Sequence, residues 1–331
     1  MVITFRGWRQ RLTHRRKARR VARQIDYRSR EMPTARTLTA SDPARAARRL
    51  IVNADDFGQD VAVNAGILAA HREGIVTSAT IMAVGTALVD AAARLREAPG
   101  LGIGCHIVLV DGLPAAPPGD VRSLLDAAGR LPCDLPRFFW NLSARAKDAE
   151  LKLEIRAQID RLRAHGVAPG HCDSHKHTHA HPRVAAALFE IAAAQGIPAV
   201  RQPFEHGEPA ARPGRTRRIR SLLAATMRRF EAPFRRSLAA HRLTAPAHFR
   251  GFTLSGTLDA DALLRVLASL APGLTEFMCH PAAGAVRLGR GPEAHARRAR
   301  ELAALTDLRV RDHLSKERIT LTTFAELGAE P

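Results

Sequence analysis

Several features that would assign this 331-residue chain to other protein classes are missing from its sequence. Its four cysteines form no CxxC pair and no secreted-type framework, so reduced thiols are expected. No apolar run approaches the roughly 20 residues of a transmembrane helix, and the basic N-terminus lacks the apolar segment of a secretory signal. One tyrosine and two tryptophans leave few rings for stacking bases, so nucleic acid is not an expected partner. We therefore predict a cytoplasmic protein.

Two enzyme signatures are absent as well. No GxGxxG follows the first predicted strand, which argues against a Rossmann domain. No GxSxG elbow occurs, which argues against an α/β-hydrolase triad. What the chain does have is a 46% hydrophobic composition, enough for the core of one large α/β domain.

Predicted strands alternate with predicted helices along most of the chain, which is typical of repeated β-α units. We place the strands at residues 49–54, 78–84, 101–107, 168–173, 198–202, 249–254, 274–279 and 318–322. We place the helices near residues 60–73, 86–97, 147–165, 182–195, 217–241, 259–270 and 292–305. Polar residues at several strand ends favour a (β/α) barrel of about seven or eight mostly parallel strands over an open sheet.

The net charge of +19 is concentrated near the N-terminus. The first 50 residues hold 15 lysines and arginines against three acids, so they carry +12 and the remaining residues carry +7. Such a tail suggests an anionic partner, either lipid headgroups or nucleic acid. A disordered extension or an over-extended gene start would also explain it. We divide the chain into a basic, disordered extension at residues 1–46 and a single barrel domain at residues 47–331.

Residues 204–248 interrupt the alternation with a basic, amphipathic insertion. Its apolar side chains recur near every third or fourth position among arginines, as at Met227, Phe230 and Phe234. A helix of this kind can lie on a membrane surface, cap a hydrophobic substrate, or simply pack on the barrel. Pro233 is expected to kink or divide it.

Two adjacent carboxylates directly follow the first strand. The apolar run from Leu50 to Val52 leads into Asp55 and Asp56, at the carboxyl end where α/β barrels keep their chemistry. Two such acids repel each other unless a metal or a shared proton neutralises them. The sequence therefore predicts a metal or acid-base site at this edge of the barrel.

Histidines elsewhere in the chain could complete a metal shell. Five of them lie within 11 residues, where His171, Asp173 and His175 would share one face of an extended chain. Imidazoles beside carboxylates suit Zn²⁺ and other borderline divalent ions. His106 and His280 lie at the ends of two further predicted strands, so they are also candidates.

Six motifs, in this order, resemble the YdjC-like carbohydrate deacetylases, which include chitooligosaccharide deacetylases and a branch associated with hopanoid biosynthesis. They are Asn-Ala-Asp-Asp-Phe-Gly at 53–58, Gly-Ile-Val-Thr-Ser at 74–78, Gly-x-His-x-Val-Leu at 104–109, His-x-Asp-Ser-His-x-His-x-His at 171–179, Arg-Gln-Pro at 201–203 and Met-Cys-His-Pro at 278–281. The resemblance spans residues 49–327 and is greatest to the hopanoid-associated branch. It implies a distorted β/α barrel that removes acetyl groups from N-acetylated sugars with one divalent metal, Mg²⁺ or Zn²⁺.

The resemblance also implies roles for single residues. The implied metal ligands are Asp56, His106 and His175. Asp55 would act as general base and His280 as general acid, and the reverse assignment of Asp55 and Asp56 stays open. The substrate-binding residues would be Arg201, His177, His179 and Asp173. For Arg201, pairing with a carboxylate is the alternative role.

The insertion, the basic tail and Lys176, where the family often has histidine, depart from the family pattern. The first two favour a membrane-embedded glycolipid, such as an N-acetylglucosaminyl hopanoid at the inner face of the membrane, over a soluble chitooligosaccharide. The rival hypothesis is another metal-dependent hydrolase. Against a phosphoesterase, the sequence has no glycine-rich loop that would bind a phosphate. Against an amidohydrolase, two aspartates stand where that class has His-x-His after its first strand. An inactive barrel that binds anionic membranes or nucleic acid is the non-enzymatic alternative.

Overall fold

The computed structural model of the protein describes residues 47–207, 214–284 and 291–328. Its strands are β1 (Arg48–Phe57), β2 (Ser78–Ile81), β3 (Gly102–Ile107), β4 (His171–Ser174), β5 (Ala199–Val200), β6 (His248–Arg250), β7 (Gly273–Cys279) and β8 (Ile319–Leu321). All pair in parallel in the order β5-β4-β3-β2-β1-β7-β6, with β8 beside the start of β1. A bridge between Glu205 and Phe249 joins the two ends of this order. The predicted distorted barrel of parallel strands is confirmed.

Helices connect the strands and cover the outside of the barrel. They are α1 (Val61–Arg72), α2 (Leu88–Arg94), α3 (Leu135–Ala144), α4 (Asp148–Ala164), α5 (Pro182–Ala194), α6 (Arg215–Met227), α7 (Glu231–Ala240), α8 (Ala260–Ala268), α9 (Gly291–Leu305) and α10 (Leu308–Lys316). Helices α3 and α10 are additions to the sequence prediction. Their signals were present, because the side chains of Asp134 and Asp307 cap the two helices.

The insertion contains two helices instead of one. A 3-10 turn at Arg228–Phe230 separates α6 from α7. Pro233 lies in the first turn of α7, where its missing N–H removes no helical hydrogen bond. The predicted division of the helix is therefore present, but it lies just before the proline. In α7, Phe234 and Leu238 are buried, so this half of the insertion packs on the barrel.

Two further predictions concern the ends and the membrane. Residues 1–46, for which we predict a disordered extension, lie outside the described residues, so that boundary stays a prediction. Among the residues that the structure describes, no helix is both long enough and apolar enough to cross a bilayer.

Along the barrel interior, the side chains of β1 and β7 change from apolar to charged toward the carboxyl ends of the strands. In β1, Leu50 and Val52 pack in the main hydrophobic core, whereas Ile51 belongs to a separate small apolar cluster with Leu274. The next residues with the parity of Ile51 are Asn53 and Asp55, both buried. In β7, Leu274 is likewise followed two residues later by buried Glu276. The charges therefore gather toward the carboxyl ends of the strands.

Candidate functional site

A bulge at the end of β1 brings two adjacent carboxylates to one place. The pairing with β2 shifts register between Ala54 and Phe57, and Asp56 has a φ of 68°, in the left-handed region. In a regular strand, neighbouring side chains would face opposite sides of the sheet. Because of the bulge, Asp55 and Asp56 both line the same cleft. A left-handed backbone conformation is uncommon in a non-glycine residue, and strained residues of this kind cluster at active sites.

Asp56, His106 and His175 form a cluster whose potential ligand atoms lie within 4.8 Å of one another. Asp56 Oδ1 lies 3.5 Å from His106 Nε2 and 3.2 Å from His175 Nδ1. This oxygen is buried and has no hydrogen-bond partner among the described residues. A buried polar atom without a protein partner is rare, and such an atom usually contacts a bound ion or water molecule. One carboxylate and two imidazoles are a donor set that fits a divalent metal.

His106 is held in position from behind. Its Nδ1 lies 2.6 Å from Asp173 Oδ1 and 3.2 Å from Thr80 Oγ1, and Thr80 in turn donates a hydrogen bond to Asp173. With Nδ1 engaged, Nε2 faces Asp56, as is usual for a metal-ligating histidine with a carboxylate behind it. Burial opposes protonation, but the charge of Asp173 raises the pKa of His106 to about 9. His106 would therefore release a proton on binding a metal.

Arg201 is enclosed by three carboxylates. It donates hydrogen bonds of 2.7 Å to both oxygens of Asp55 and one of 2.7 Å from Nε to Glu276, and its Nη1 lies 2.6 Å from Asp173. Burial alone would raise the pKa of Asp55, but the Arg201 guanidinium brings it below its ordinary value. Burial outweighs the same attraction at Glu276 and raises its pKa to about 7. Asp55 is thus ionised and fixed in orientation at neutral pH.

His280 follows β7 and lies on the cleft side of Asp55. Its Nε2 is 4.0 Å from Asp55 Oδ2, and its Nδ1 is 3.9 Å from Glu301. The buried Glu301 carboxylate accepts the backbone N–H groups of His280, at 2.6 Å, and of Gly256, at 2.8 Å. Glu301 therefore fixes the loop that carries His280.

Arg298 reaches the cluster from the same helix, α9. It donates hydrogen bonds to Asp56 Oδ2 and, at 3.1 Å, to Gln59. Burial would raise the pKa of Asp56, but the Arg298 guanidinium holds it well below its usual range. Sequence reasoning missed both Arg298 and Glu301. Their only signal was an arginine and a glutamate three residues apart on a predicted helix, which is also common on solvated surfaces.

The cleft in front of these residues has a volume of about 500 Å³. Alongside Asp56, His106 and His175 it is lined by His280 and His177, and by apolar side chains that include Ile219 and Leu223 of α6. The ring of His177 packs edge-on against Phe252, with 5.2 Å between ring centroids. Of the four residues predicted to contact substrate, His177 lies on the cleft wall.

The other three residues predicted to contact substrate lie behind the cleft. Arg201, Asp173 and His179 are fully buried, and they are not among the described residues that line it. His179 hydrogen-bonds the Ser174 hydroxyl at 2.6 Å and the Arg201 carbonyl at 3.1 Å. These side chains contact other site residues, and Arg201 makes the carboxylate pairing that was its alternative role.

Comparison with known proteins gives consistent matches. A family model described as YdjC-like protein matches residues 49–316. Carbohydrate deacetylases of Brevibacillus brevis and Geobacillus stearothermophilus are 34% and 36% identical over 281 residues, covering 85% and 84% of this chain and 100% and 98% of theirs. A chitooligosaccharide deacetylase of Enterobacter sp. is 39% identical over 152 residues, which is 45% of this chain and 57% of that protein.

A solved structure shares the fold. A protein of Enterococcus faecalis V583, for which cellobiose-phosphate cleavage has been suggested, matches with a TM-score of 0.70 and 25% sequence identity. The match covers 85% of this chain and 99% of that one.

Proposed function

The chain belongs to the YdjC-like family, and we propose that it is a metal-dependent hydrolase that removes the acetyl group from an N-acetylated amino sugar. The observation that carries this proposal is Asp56 Oδ1, a buried oxygen without a partner among the described residues, beside two histidine nitrogens. Asp55 and His280 line the same cleft and supply a carboxylate and an imidazole. The relatives named carbohydrate deacetylase support the same reaction.

We assign the metal to Asp56, His106 and His175. A divalent cation bound there would lower the pKa of a water molecule and polarise the acetyl carbonyl. Two imidazoles in the donor set are more typical of Zn²⁺ than of Mg²⁺, which prefers oxygen ligands. Arg298 holds the second oxygen of Asp56 and would keep this carboxylate in one orientation.

Two cleft residues would move protons. Asp55 is ionised, held by Arg201, and would accept a proton from the attacking water. His280 would donate a proton to the departing amine, from a loop position that Glu301 fixes. Each of these transfers typically contributes about 10²- to 10⁴-fold in rate. We propose substrate contact for His177 and positioning roles for Arg201, Asp173 and His179.

We further propose that the sugar belongs to a glycolipid, such as an N-acetylglucosaminyl hopanoid, reached at the cytoplasmic face of an anionic membrane. The support is the apolar lining of the cleft by Ile219, Leu223 and Leu135, close to the proposed metal ligands. A soluble chitooligosaccharide is the alternative substrate, and the relative named chitooligosaccharide deacetylase favours it over part of the chain.

Measurement of released acetate tests both the proposed reaction and the proposed substrate. The purified, metal-supplemented protein is incubated with N-acetylglucosaminyl hopanoid and, separately, with diacetylchitobiose. We expect acetate release that falls at least about 10²-fold in Asp55→Asn and is unchanged in Glu317→Gln, a half-exposed acid paired with Arg48. Acetate from diacetylchitobiose alone would refute the lipid substrate. No acetate from either compound, or full activity of Asp55→Asn, would refute the proposed reaction.

A further inference from the structure

Exposed apolar side chains cluster beside the cleft. Helix α3 presents Phe139 and Trp140, which are 40% and 64% exposed, and α6 with its following turn presents Leu222 and Phe230, which are 70% and 37% exposed. The ring of His181 lies between the two groups, 5.8 Å from that of Phe139 and 6.3 Å from that of Phe230. We call Phe139, Trp140, Leu222 and Phe230 the apolar rim. Clustered apolar exposure of this kind marks an interaction surface.

The apolar rim is continuous with the cleft. Leu222 lies between Ile219 and Leu223 on α6, and these two neighbours line the cleft. Helix α3 likewise begins with Leu135, another cleft-lining residue. A partner that covers the apolar rim would therefore be placed at the entrance to the proposed active site.

The surroundings of the apolar rim are strongly basic. Residues 214–242 contain nine arginines and one acid, Glu231. Glu231 already pairs with Arg235 and His206. Arg218 is exposed and lies four residues before Leu222, so it falls on the same face of α6. Arg229 is exposed in the turn that directly follows α6. The chemistry complementary to this surface is an apolar layer edged by negative charge.

We propose that the apolar rim docks on an anionic lipid bilayer, with Trp140 and Leu222 inserted at the headgroup level. Tryptophan is enriched at membrane interfaces, and a basic amphipathic helix lies in the interface plane. Arginines next to such a helix add attraction to anionic lipids. A nucleic acid would satisfy the arginines but would leave Leu222 without an apolar partner. This docking extends the glycolipid proposal, because it would bring the cleft to a lipid-linked sugar. Its purpose therefore rests on that proposed function.

Trp140 provides a direct readout of insertion. The other tryptophan, Trp8, lies in the basic tail, so full-length Trp8→Phe protein leaves Trp140 as the single tryptophan. With vesicles of phosphatidylglycerol and brominated phosphatidylcholine, we expect its emission to shift to the blue and to be quenched. The quenching should persist at about 0.5 M salt, where interactions of exposed charges are largely screened.

A matched pair of substitutions tests whether the apolar rim is the part of the protein that binds the vesicle. In the Trp8→Phe background, Leu222→Glu should weaken vesicle partitioning by about tenfold or more. Leu308→Glu should leave partitioning unchanged, because Leu308 is 71% exposed but lies on α10, outside the apolar rim. Both variants should keep full turnover of diacetylchitobiose, since neither residue lines the cleft.

Three results would overturn the docking proposal. The first is vesicle binding without quenching of Trp140, which would assign binding to the tail. The second is equal loss of partitioning in Leu222→Glu and Leu308→Glu. The third is binding to RNA but not to vesicles. Because quenching requires no catalysis, a failure to release acetate from any substrate would refute the proposed function and leave the docking result standing.

Discussion

Arg201 shows how one buried side chain can hold together the charges of a site. It contacts Asp55, Asp173 and Glu276, all of which are buried. We expect Arg201→Met to lower the free energy of unfolding by about 3–5 kcal/mol, because it leaves buried carboxylates without their partner. Arg201→Lys should recover only part of this loss, since a single ammonium cannot reproduce the forked hydrogen bonds. Urea denaturation of the two variants measures both effects.

An exposed arginine provides the matched control for Arg201. Arg309 also contacts carboxylates, those of Asp261 and Asp307, but it lies at the surface. Because exposed ion pairs contribute little, Arg309→Met should leave the free energy of unfolding almost unchanged. If Arg201→Met were no more destabilising than Arg309→Met, the buried charge cluster would not have the structural role given to it here.

The residues of the site differ in how far the sequence could predict them. Asp55, Asp56, His106, His175 and His280 each follow or end a predicted strand, so the carboxyl edge of a parallel barrel brings them together. Burial could not be predicted in the same way. Asp173 and His179 stand in the same motif as His175, and Arg201 stands in the Arg-Gln-Pro motif, but all three side chains face the interior. Arg298 and Glu301 reach the site only through the packing of α9, a tertiary contact that leaves no mark in a local pattern.

At the scale of elements, the close approach of β3 and β4 explains a glycine in the motif around His106. A Cβ at Gly104 would lie 2.5 Å from Nε2 of His171, whose ring is stacked on Phe324 at 3.8 Å and hydrogen-bonds Asn53. The ring has little room to move away. We expect Gly104→Ala to destabilise the protein by about 1–3 kcal/mol through overpacking, as measured by thermal or urea unfolding.

A second glycine separates overpacking from a general effect of adding a methyl group. At Gly170, just before β4, the nearest atom to an added Cβ is the Ile103 carbonyl oxygen at 3.8 Å, an ordinary contact. Gly170→Ala should therefore be close to neutral. Equal stability of the two variants would show that the His171 ring can shift at no cost.

The strands also show what a local sequence pattern can and cannot predict. All eight predicted strands are present, because buried apolar runs between turn residues are a strong local signal. The lengths of β5 and β6, two and three residues, are set by how the barrel closes. That closure depends on the bridge between Glu205 and Phe249, two residues 44 positions apart, and no local pattern encodes it.

At the scale of the whole molecule, buried histidines couple folding to pH. Burial lowers the pKa of His171 to about 3 and that of His179 to about 4, against the opposing charge of Asp173 and with a smaller lowering contribution from Arg201. The unfolded chain binds these protons near pH 6.5. Between pH 6.5 and 4 the unfolded state therefore holds more protons, so this contribution to stability is complete above pH 6.5 and is lost as the pH falls. Glu276, with its pKa raised to about 7, opposes part of the trend.

Substitution of one histidine isolates its share of this coupling. His171→Gln keeps an N–H donor for Asn53 but removes the titrating ring. The variant should be less stable than the wild type at pH 7, because it loses the stacking on Phe324. As the pH falls from 6.5 to 4, its free energy of unfolding should decrease less steeply than that of the wild type. The two slopes should differ by about 1.4 kcal/mol per pH unit. Urea denaturation at pH 7, 6 and 5 measures the two slopes. Parallel slopes would mean that His171 is protonated equally in the folded and unfolded states, which its burial beside Asn53 and Phe324 does not allow.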